Sequence, residues 1–286
     1  MNGPGVGVSC GHSLLTFLVT GRERCYAPGM QQPAIAAAKA RAAPRGAPRG
    51  AVDRWFYIGT AIAAIVTVLV GFGPAIVSPA RKAPLTALAA THGAICLAWL
   101  LIFLAQTVLA ATRRMAVHRS LGTAAALLAI ALIVSGYMTS TAMARRGFDL
   151  SGDLNAQADP LNNLVNPLAD LVVFAVLLAA GYWYRNRSDI HKRLMLLATV
   201  GGLMPAPLAH LIGHFAVLRN AGGGAIIVIP IALFLFAGAV YDRISMGRVH
   251  RVSLWGAVGV FLWVNVCAVL IGPNTTWHRF AAWLIR

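Results

Sequence analysis

Residues 84–111 read PLTALAATHGAICLAWLLIFLAQTVLAA, a run that contains no Asp, Glu, Lys or Arg. About 20 consecutive apolar residues are enough for a helix to cross the hydrocarbon core of a bilayer. Because hydrocarbon offers no hydrogen-bond partners to free backbone groups, a run of this length favours a helix over any open structure. The stretch therefore predicts a membrane-spanning helix.

Six further apolar runs of similar length occur along the chain, which predicts an all-α integral membrane bundle of seven transmembrane helices. The chain has 286 residues, of which 58% are hydrophobic and 11% charged. A soluble domain has about 25% charged residues, so this composition excludes an ordinary water-soluble globular domain. The predicted spans cover about residues 55–77, 84–111, 119–143, 164–184, 192–217, 224–241 and 253–273.

The chain divides into two regions by composition. Residues 1–50 are rich in Gly, Ala, Pro and Arg, as in PRGAPRG at 44–50, and such a segment has too few apolar residues to form a core. We therefore predict a disordered basic tail over 1–50 and the seven-helix transmembrane domain over 51–286. A true start at Met30 instead of Met1 stays open at this point.

The distribution of basic residues predicts the orientation in the membrane. The tail and the connections between spans 2–3, 4–5 and 6–7 carry 17 of the 24 Lys and Arg residues, and the other side carries 7. The side with the excess is normally cytoplasmic, so the N-terminus is expected inside and the C-terminus outside. The net charge of +16 is then explained by anionic lipid headgroups as partners and requires no nucleic acid.

Ionisable residues inside the spans are the first candidates for a site, because they are costly in lipid. His92, His210, His214 and Asp170 are all expected in the outer half of the bundle. His210 and His214 are spaced i, i+4 and share one helix face, a spacing that lets two imidazoles bind one metal ion. These four residues are the predicted metal ligands. Solvation of His214 and a helix N-terminal role for Asp170 remain alternatives.

The fifth span is interrupted by GGLMPAP at 201–207. Pro205 and Pro207 have no backbone N–H and therefore break the hydrogen-bond pattern of a helix. Broken helices in membranes usually line a site or a cavity, where the freed backbone groups find partners. The break therefore supports a site near the two histidines that follow it.

A second pair of histidines is expected at the cytoplasmic face. His118 opens span 3 in MAVHRSLG, and His191 opens span 5 in SDIHKRLM. Each is followed directly by a basic residue. The pattern is typical of a headgroup contact, and equally of a ligand pair or a pocket for acidic groups such as haem propionates.

Residues 91–122 and 188–198 resemble an uncharacterised family of bacterial multi-pass membrane proteins. The matching features are a His early in one span, a Gln near its end, a His-Arg-x-x-Gly that enters the next span, and a later His-x-Arg-x-Met. The resemblance implies a location in the bacterial cytoplasmic membrane, but this family has no established activity. The residues that carry the resemblance are His92, Gln106, His118, Arg119, Gly122, His191, Arg193 and Met195.

The chain is also distantly similar to membrane cytochromes b of the ascorbate-reducible and ferric-reductase type. That resemblance implies haem b between histidines of different helices: His92 with His210 or His214 at an outer site, and His118 with His191 at an inner one. His191 and His210 would lie about 28 Å apart along one helix, which puts the inner pair at the membrane edge. A single outer haem site is therefore favoured.

Three hypotheses for the function follow. The first is a redox protein that binds haem b or another metal and transfers electrons between partners that the sequence does not name. The second is a zinc-dependent hydrolase similar to the seven-helix lipid amidases, in which zinc-bound water is the nucleophile. The third is a non-catalytic carrier or assembly factor. No P-loop and no GxSxG motif occurs, no catalytic residue is assigned, and enzymatic activity stays open.

Overall fold

The computed structural model describes residues 49–77, 84–147, 159–214 and 225–286. Within these ranges every regular element is a helix, which confirms the all-α fold. The predicted basic tail lies outside the described residues, except that Arg49 and Gly50 already belong to the first helix.

The described residues form α-helices that run up and down through one bundle. A π-helical segment of five residues, Cys267–Ile271, directly continues the eighth of them. In chain order, α1 to α9 are Arg49–Val77, Ala87–Ala111, Met115–Arg145, Pro160–Trp183, Ser188–Leu203, Pro205–Gly213, Ala225–Met246, Arg251–Val266 and Thr275–Leu284.

The long helices have the length and the apolar surface that a bilayer requires. Six helices among the described residues are long and apolar enough to cross a membrane, and α5 with α6 gives a seventh if this bent pair is one span. Each predicted span overlaps one of these helices or the bent pair. Large apolar side chains point outward along them, for example Leu127, Leu233 and Val269, which are 72%, 68% and 66% exposed. Such an apolar exterior is typical of lipid-facing surfaces and rare on soluble proteins.

The two ends of the bundle differ in charge. Helices α1, α3, α5 and α8 begin at the end where α2, α4 and α7 finish. Contacts between these helix ends show this: Phe56 with Tyr241, Gln106 with His118, Tyr182 with Gly122, His118 with His191, and Asp242 with Arg193 and Ser253. Most of the Arg and Lys residues in the described part of the chain lie there, so we call it the basic end. The other, where α3 finishes and α4 begins, is called the opposite end.

The predicted break lies at Met204, between α5 and α6, which are bent by 43° relative to each other. Pro205 and Pro207 cannot donate to the carbonyl groups one turn earlier, so the regular pattern ends there. Beyond the break, α6 packs directly on α1. A Cβ at Gly71 would lie 2.3 Å from the carbonyl oxygen of Pro207, so this approach of two backbones requires glycine.

Helix α5 lies at the centre of the bundle. Ala198, Thr199 and Val200 are at most 2% exposed. The indole Nε1 of Trp99 on α2 donates to the hydroxyl of Thr199 at 3.3 Å, and the same ring meets Phe174 of α4 edge to face at 5.0 Å. Apolar packing and one buried hydrogen bond thus hold α2 and α4 on α5.

The last helix, α9, is an element that the sequence pattern did not predict. The π-helical segment ends at Ile271, and Asn274 then begins α9 as its N-cap, since its side chain accepts from the backbone N–H of Thr276 at 2.8 Å. The sequence TTWHRFAAWL of α9 has too few apolar residues to cross a membrane. Its position is set by contacts with α3 and α4 at the opposite end.

Candidate functional site

His92 of α2 contacts α3. Its Nδ1 lies 3.0 Å from the hydroxyl of Ser135, and a Cβ at Gly136 would approach its ring to 3.2 Å. Its Nε2 lies 3.5 Å from the sulfur of Cys96, one turn further along α2. The half-buried imidazole is therefore bonded to the hydroxyl of Ser135. The absence of a side chain at Gly136 leaves space for the ring.

His210 and His214, the predicted pair at i, i+4, both contact α1. The ring of His210 lies 4.7 Å from that of Phe72, measured between centroids. Nε2 of His214 donates to the backbone carbonyl of Gly71 at 2.7 Å; because a carbonyl only accepts, this nitrogen carries a hydrogen. The contact fixes the orientation of the ring and leaves Nδ1 as the nitrogen through which His214 could bind a metal ion.

Asp170 is buried within α4 and is 8% exposed. One of its carboxyl oxygens, Oδ1, has no hydrogen-bond partner. The adjacent α5 comes close enough that a Cβ at Gly202 would lie 3.2 Å from the carbonyl oxygen of Asp170. The backbone of Asp170 therefore lies at the α4–α5 contact.

The four predicted metal ligands do not form a common cluster. Among the described residues, no group of three or more His, Cys, Asp or Glu side chains is arranged to hold a metal ion. The contacts of His92 are made to α3, whereas those of His210 and His214 are made to α1. A zinc centre of the amidase type, which needs three protein ligands, is thus not formed in this part of the chain.

The other predicted pair does come together. His118, in the first turn of α3, and His191, in the first turn of α5, face each other at the basic end with ring centroids 6.3 Å apart and ring planes 88° apart. Two metal–nitrogen bonds of about 2.0–2.1 Å each place the two ligating nitrogens about 4 Å apart. The two rings are therefore direct neighbours, and one ligand could contact both.

His191 is held in a defined orientation. Its Nδ1 lies 2.8 Å from the carbonyl oxygen of Gly181 on α4, and since a carbonyl only accepts, Nδ1 carries the hydrogen. In the tautomer with hydrogen on Nδ1 alone, the lone pair lies on Nε2. A backbone carbonyl that fixes the ring in this way is the usual support of a metal-binding histidine. A Cβ at Gly181 would lie 2.9 Å from the sulfur of Met195, which belongs to a flexible side chain.

Two polar atoms beside this pair are buried and have no partner: Nδ1 of His118 and Oε1 of Gln106. The amide Nε2 of Gln106 donates to the backbone carbonyl of His118 at 3.0 Å, so the two side chains are neighbours. A buried polar group without a partner costs about 1–3 kcal/mol. Two of them beside a pair of imidazoles indicate a site that a ligand completes.

Tyr182 fixes the surroundings of the pair. Its hydroxyl donates to the backbone carbonyl of Gly122, which joins the end of α4 to the start of α3. The amide nitrogen of Gln106 lies 3.4 Å from the position of a Cβ at Gly122. The His-Arg-x-x-Gly motif and the Gln thus belong to one cluster, which the resemblance did not show.

A buried ion pair at the same end was not predicted. Arg193 and Asp242 are 4% and 1% exposed. Nε of Arg193 donates to Oδ2 of Asp242 at 3.0 Å, its terminal nitrogen bonds Oδ1, and Ser253 donates to Oδ2 at 2.5 Å. The signal in the sequence was Asp242 itself, one of eight acidic residues, directly after an apolar span.

The chain matches no family model, no curated protein and no solved structure. The resemblances to the bacterial multi-pass family and to the membrane cytochromes b therefore stay predictions, and the site is interpreted from its own geometry.

Proposed function

We propose that this chain is an integral membrane protein of seven spans that binds haem b, or another redox-active metal cofactor, through His118 and His191 and transfers electrons. The membrane location is supported by six apolar helices and the bent pair α5–α6. The basic end is then cytoplasmic by the positive-inside rule, and a bacterial cytoplasmic membrane is the compartment that the family resemblance implies.

The observation that supports the cofactor proposal is that two imidazoles from different helices face each other, one of them hydrogen-bonded to a backbone carbonyl. A donor set of two imidazole nitrogens suits haem iron, which a protein binds through axial histidines. His118 and His191 would be the axial ligands. When bound, the haem supplies one-electron chemistry, and the protein tunes its potential through the ligands and their hydrogen bonds.

The surroundings suit an anionic cofactor. Both histidines lie in the first turn of a helix, where the helix dipole is positive. Arg119 follows His118 directly in the sequence, whereas the ammonium group of Lys192 lies over the ring of Tyr57, 5.2 Å from its centroid. The carboxylates of haem propionates are stabilised in such a field, which the outer group around His92 lacks.

The test is an absorption spectrum and a metal analysis of the full chain, purified in detergent from cells supplied with a haem precursor. We expect a Soret band with about one haem per chain. His118→Ala and His191→Ala should each lower the bound haem by at least about tenfold, because even the loss of a supporting hydrogen bond costs about 10–100-fold in affinity at metal sites.

His250→Asn is the matched control. It removes an imidazole from the basic end but keeps an N-cap acceptor for α8, where His250 now accepts from the N–H of Val252. It should retain the haem, as should His92→Ala. Loss of haem in the His92 variant alone would move the site to the outer half of the bundle. A colourless, metal-free preparation would overturn the proposal.

A further inference from the structure

Helix α9 lies across the opposite end of the bundle. The indole Nε1 of Trp277, near its start, donates to the carbonyl of Leu161 in the first turn of α4 at 2.8 Å. Beyond its end, the carbonyls of Ile285 and Arg286 accept from the guanidinium of Arg145, the last residue of α3. Because both anchors lie at the same end, the helix runs from α4 to α3 instead of along them.

The buried side and the exposed side of α9 have different surroundings. Ala281 is fully buried and packs with Ala144 and Leu164. Phe280 and Trp283 are 48% and 61% exposed, and with Trp277 they form a row of rings with successive centroids 5.8 Å apart. At about 100° per residue, the exposed Arg279 lies about 40° from Trp283 and about 100° from Phe280, so it stands at the edge of the aromatic row.

We propose that α9 is an interfacial helix that binds the phospholipid leaflet at the opposite end, with Phe280 and Trp283 in the headgroup–acyl boundary and Arg279 at the phosphates. This inference rests on the membrane location proposed above. A helix with one apolar and one charged face lies in the plane of the interface, and tryptophan and phenylalanine are typical of its apolar face.

The position of α9 at the level of the span ends selects this occupant. A helix across the end of a transmembrane bundle lies where the hydrocarbon core gives way to headgroups. The aromatic row is uncovered by the described protein, and an arginine on the adjacent face matches the charge of a phosphate. A lipid leaflet offers acyl chains to the exposed rings and phosphates to Arg279.

The experiment uses nitroxide labels at single cysteines in the full chain, with Cys10, Cys25, Cys96 and Cys267 replaced by Ala. The protein is reconstituted into vesicles of equal parts phosphatidylcholine and phosphatidylglycerol. Collision rates with oxygen, which concentrates in lipid, and with a nickel chelate, which stays in water, are measured at Trp283→Cys and Arg279→Cys. The logarithm of the oxygen-to-nickel ratio should be positive at 283 and lower at 279, which lies at the edge of the aromatic row.

Leu127→Cys is the control, since Leu127 lies in the middle of α3 and is 72% exposed. A watery signal at 127 would refute the membrane location itself. A lipid signal at 127 with a watery signal at 283 would overturn only the inference about α9. Low collision rates with both reagents at 283 would also overturn it, because they would show that protein, such as a second copy of the chain, covers the row.

Discussion

The buried ion pair between Arg193 and Asp242 gives the sharpest stability prediction. The pair joins α5 to α7, and the hydroxyl of Ser253 extends the network to α8. Asp242→Asn keeps the size of the side chain but removes the charge, and Arg193, which is 4% exposed, then remains as a buried cation. Leaving one partner of a buried pair uncompensated costs about 3–5 kcal/mol.

The other members of the network give graded values. Ser253→Ala removes one hydrogen bond to a carboxylate, and bonds to charged groups contribute about 1.5–3 kcal/mol. The double variant Arg193→Met with Asp242→Leu removes both charges together, and such replacements of buried pairs are often neutral or stabilising by about 1–4 kcal/mol. We therefore expect Asp242→Asn to be the least stable of the three.

The assay is reversible unfolding in mixed micelles with increasing denaturing detergent. The matched control is Asp159→Asn, the same chemical change at the exposed pair of Asp159 with His278, whose side chains are 47% and 32% exposed. Exposed pairs contribute about 0–1 kcal/mol, and Asn also serves as an N-cap for α4. If Asp242→Asn cost no more than this control, the reasoning about an uncompensated buried charge would be refuted.

The other predictions concern close packing. Gly71→Ala should destabilise the protein by at least about 1–3 kcal/mol through overpacking, because its Cβ would meet a backbone carbonyl of α6 at 2.3 Å; Gly59→Ala, with open space, is the control in the same unfolding assay. Thr199→Val keeps the size of the side chain and should cost about 1–3 kcal/mol, because it leaves the buried Nε1 of Trp99 without its acceptor; an unchanged stability would contradict the importance of this bond.

The helices and the break could be predicted because each depends on a property of one segment. The spans follow from apolar length, and the bend follows from Pro205 and Pro207. The encounter of His118 with His191 was also foreseen, since both lie in the first turn of spans that start on the same side. The contact that orients His191 was not foreseen. It is made to the backbone carbonyl of Gly181, and no pattern near His191 reveals it.

The outer group shows why depth alone does not make a site. His92 and His210 were expected at a similar level, but the direction of each side chain is set by the rotation of its helix. That rotation depends on contacts with neighbouring helices. Ser135 of α3 bonds the ring of His92, and Gly71 of α1 permits the close approach of α6. Helix α9 was not predicted for a related reason. It is stabilised by packing of Ala281 on Ala144 and Leu164, which are distant in the sequence.

The π-helical segment Cys267–Ile271 acts as a built-in change of direction. A π-helical turn accommodates one residue more than an α-helical turn, and each residue in a regular helix advances the chain by about 100°. Deleting a single residue there would restore a straight α-helix and swing Pro273 and all that follows by about that angle. The chain would then leave the bundle facing another side, and Trp277 would no longer reach the carbonyl of Leu161. The extra residue of the π-helical segment thus sets the direction in which the ten residues of α9 leave the bundle.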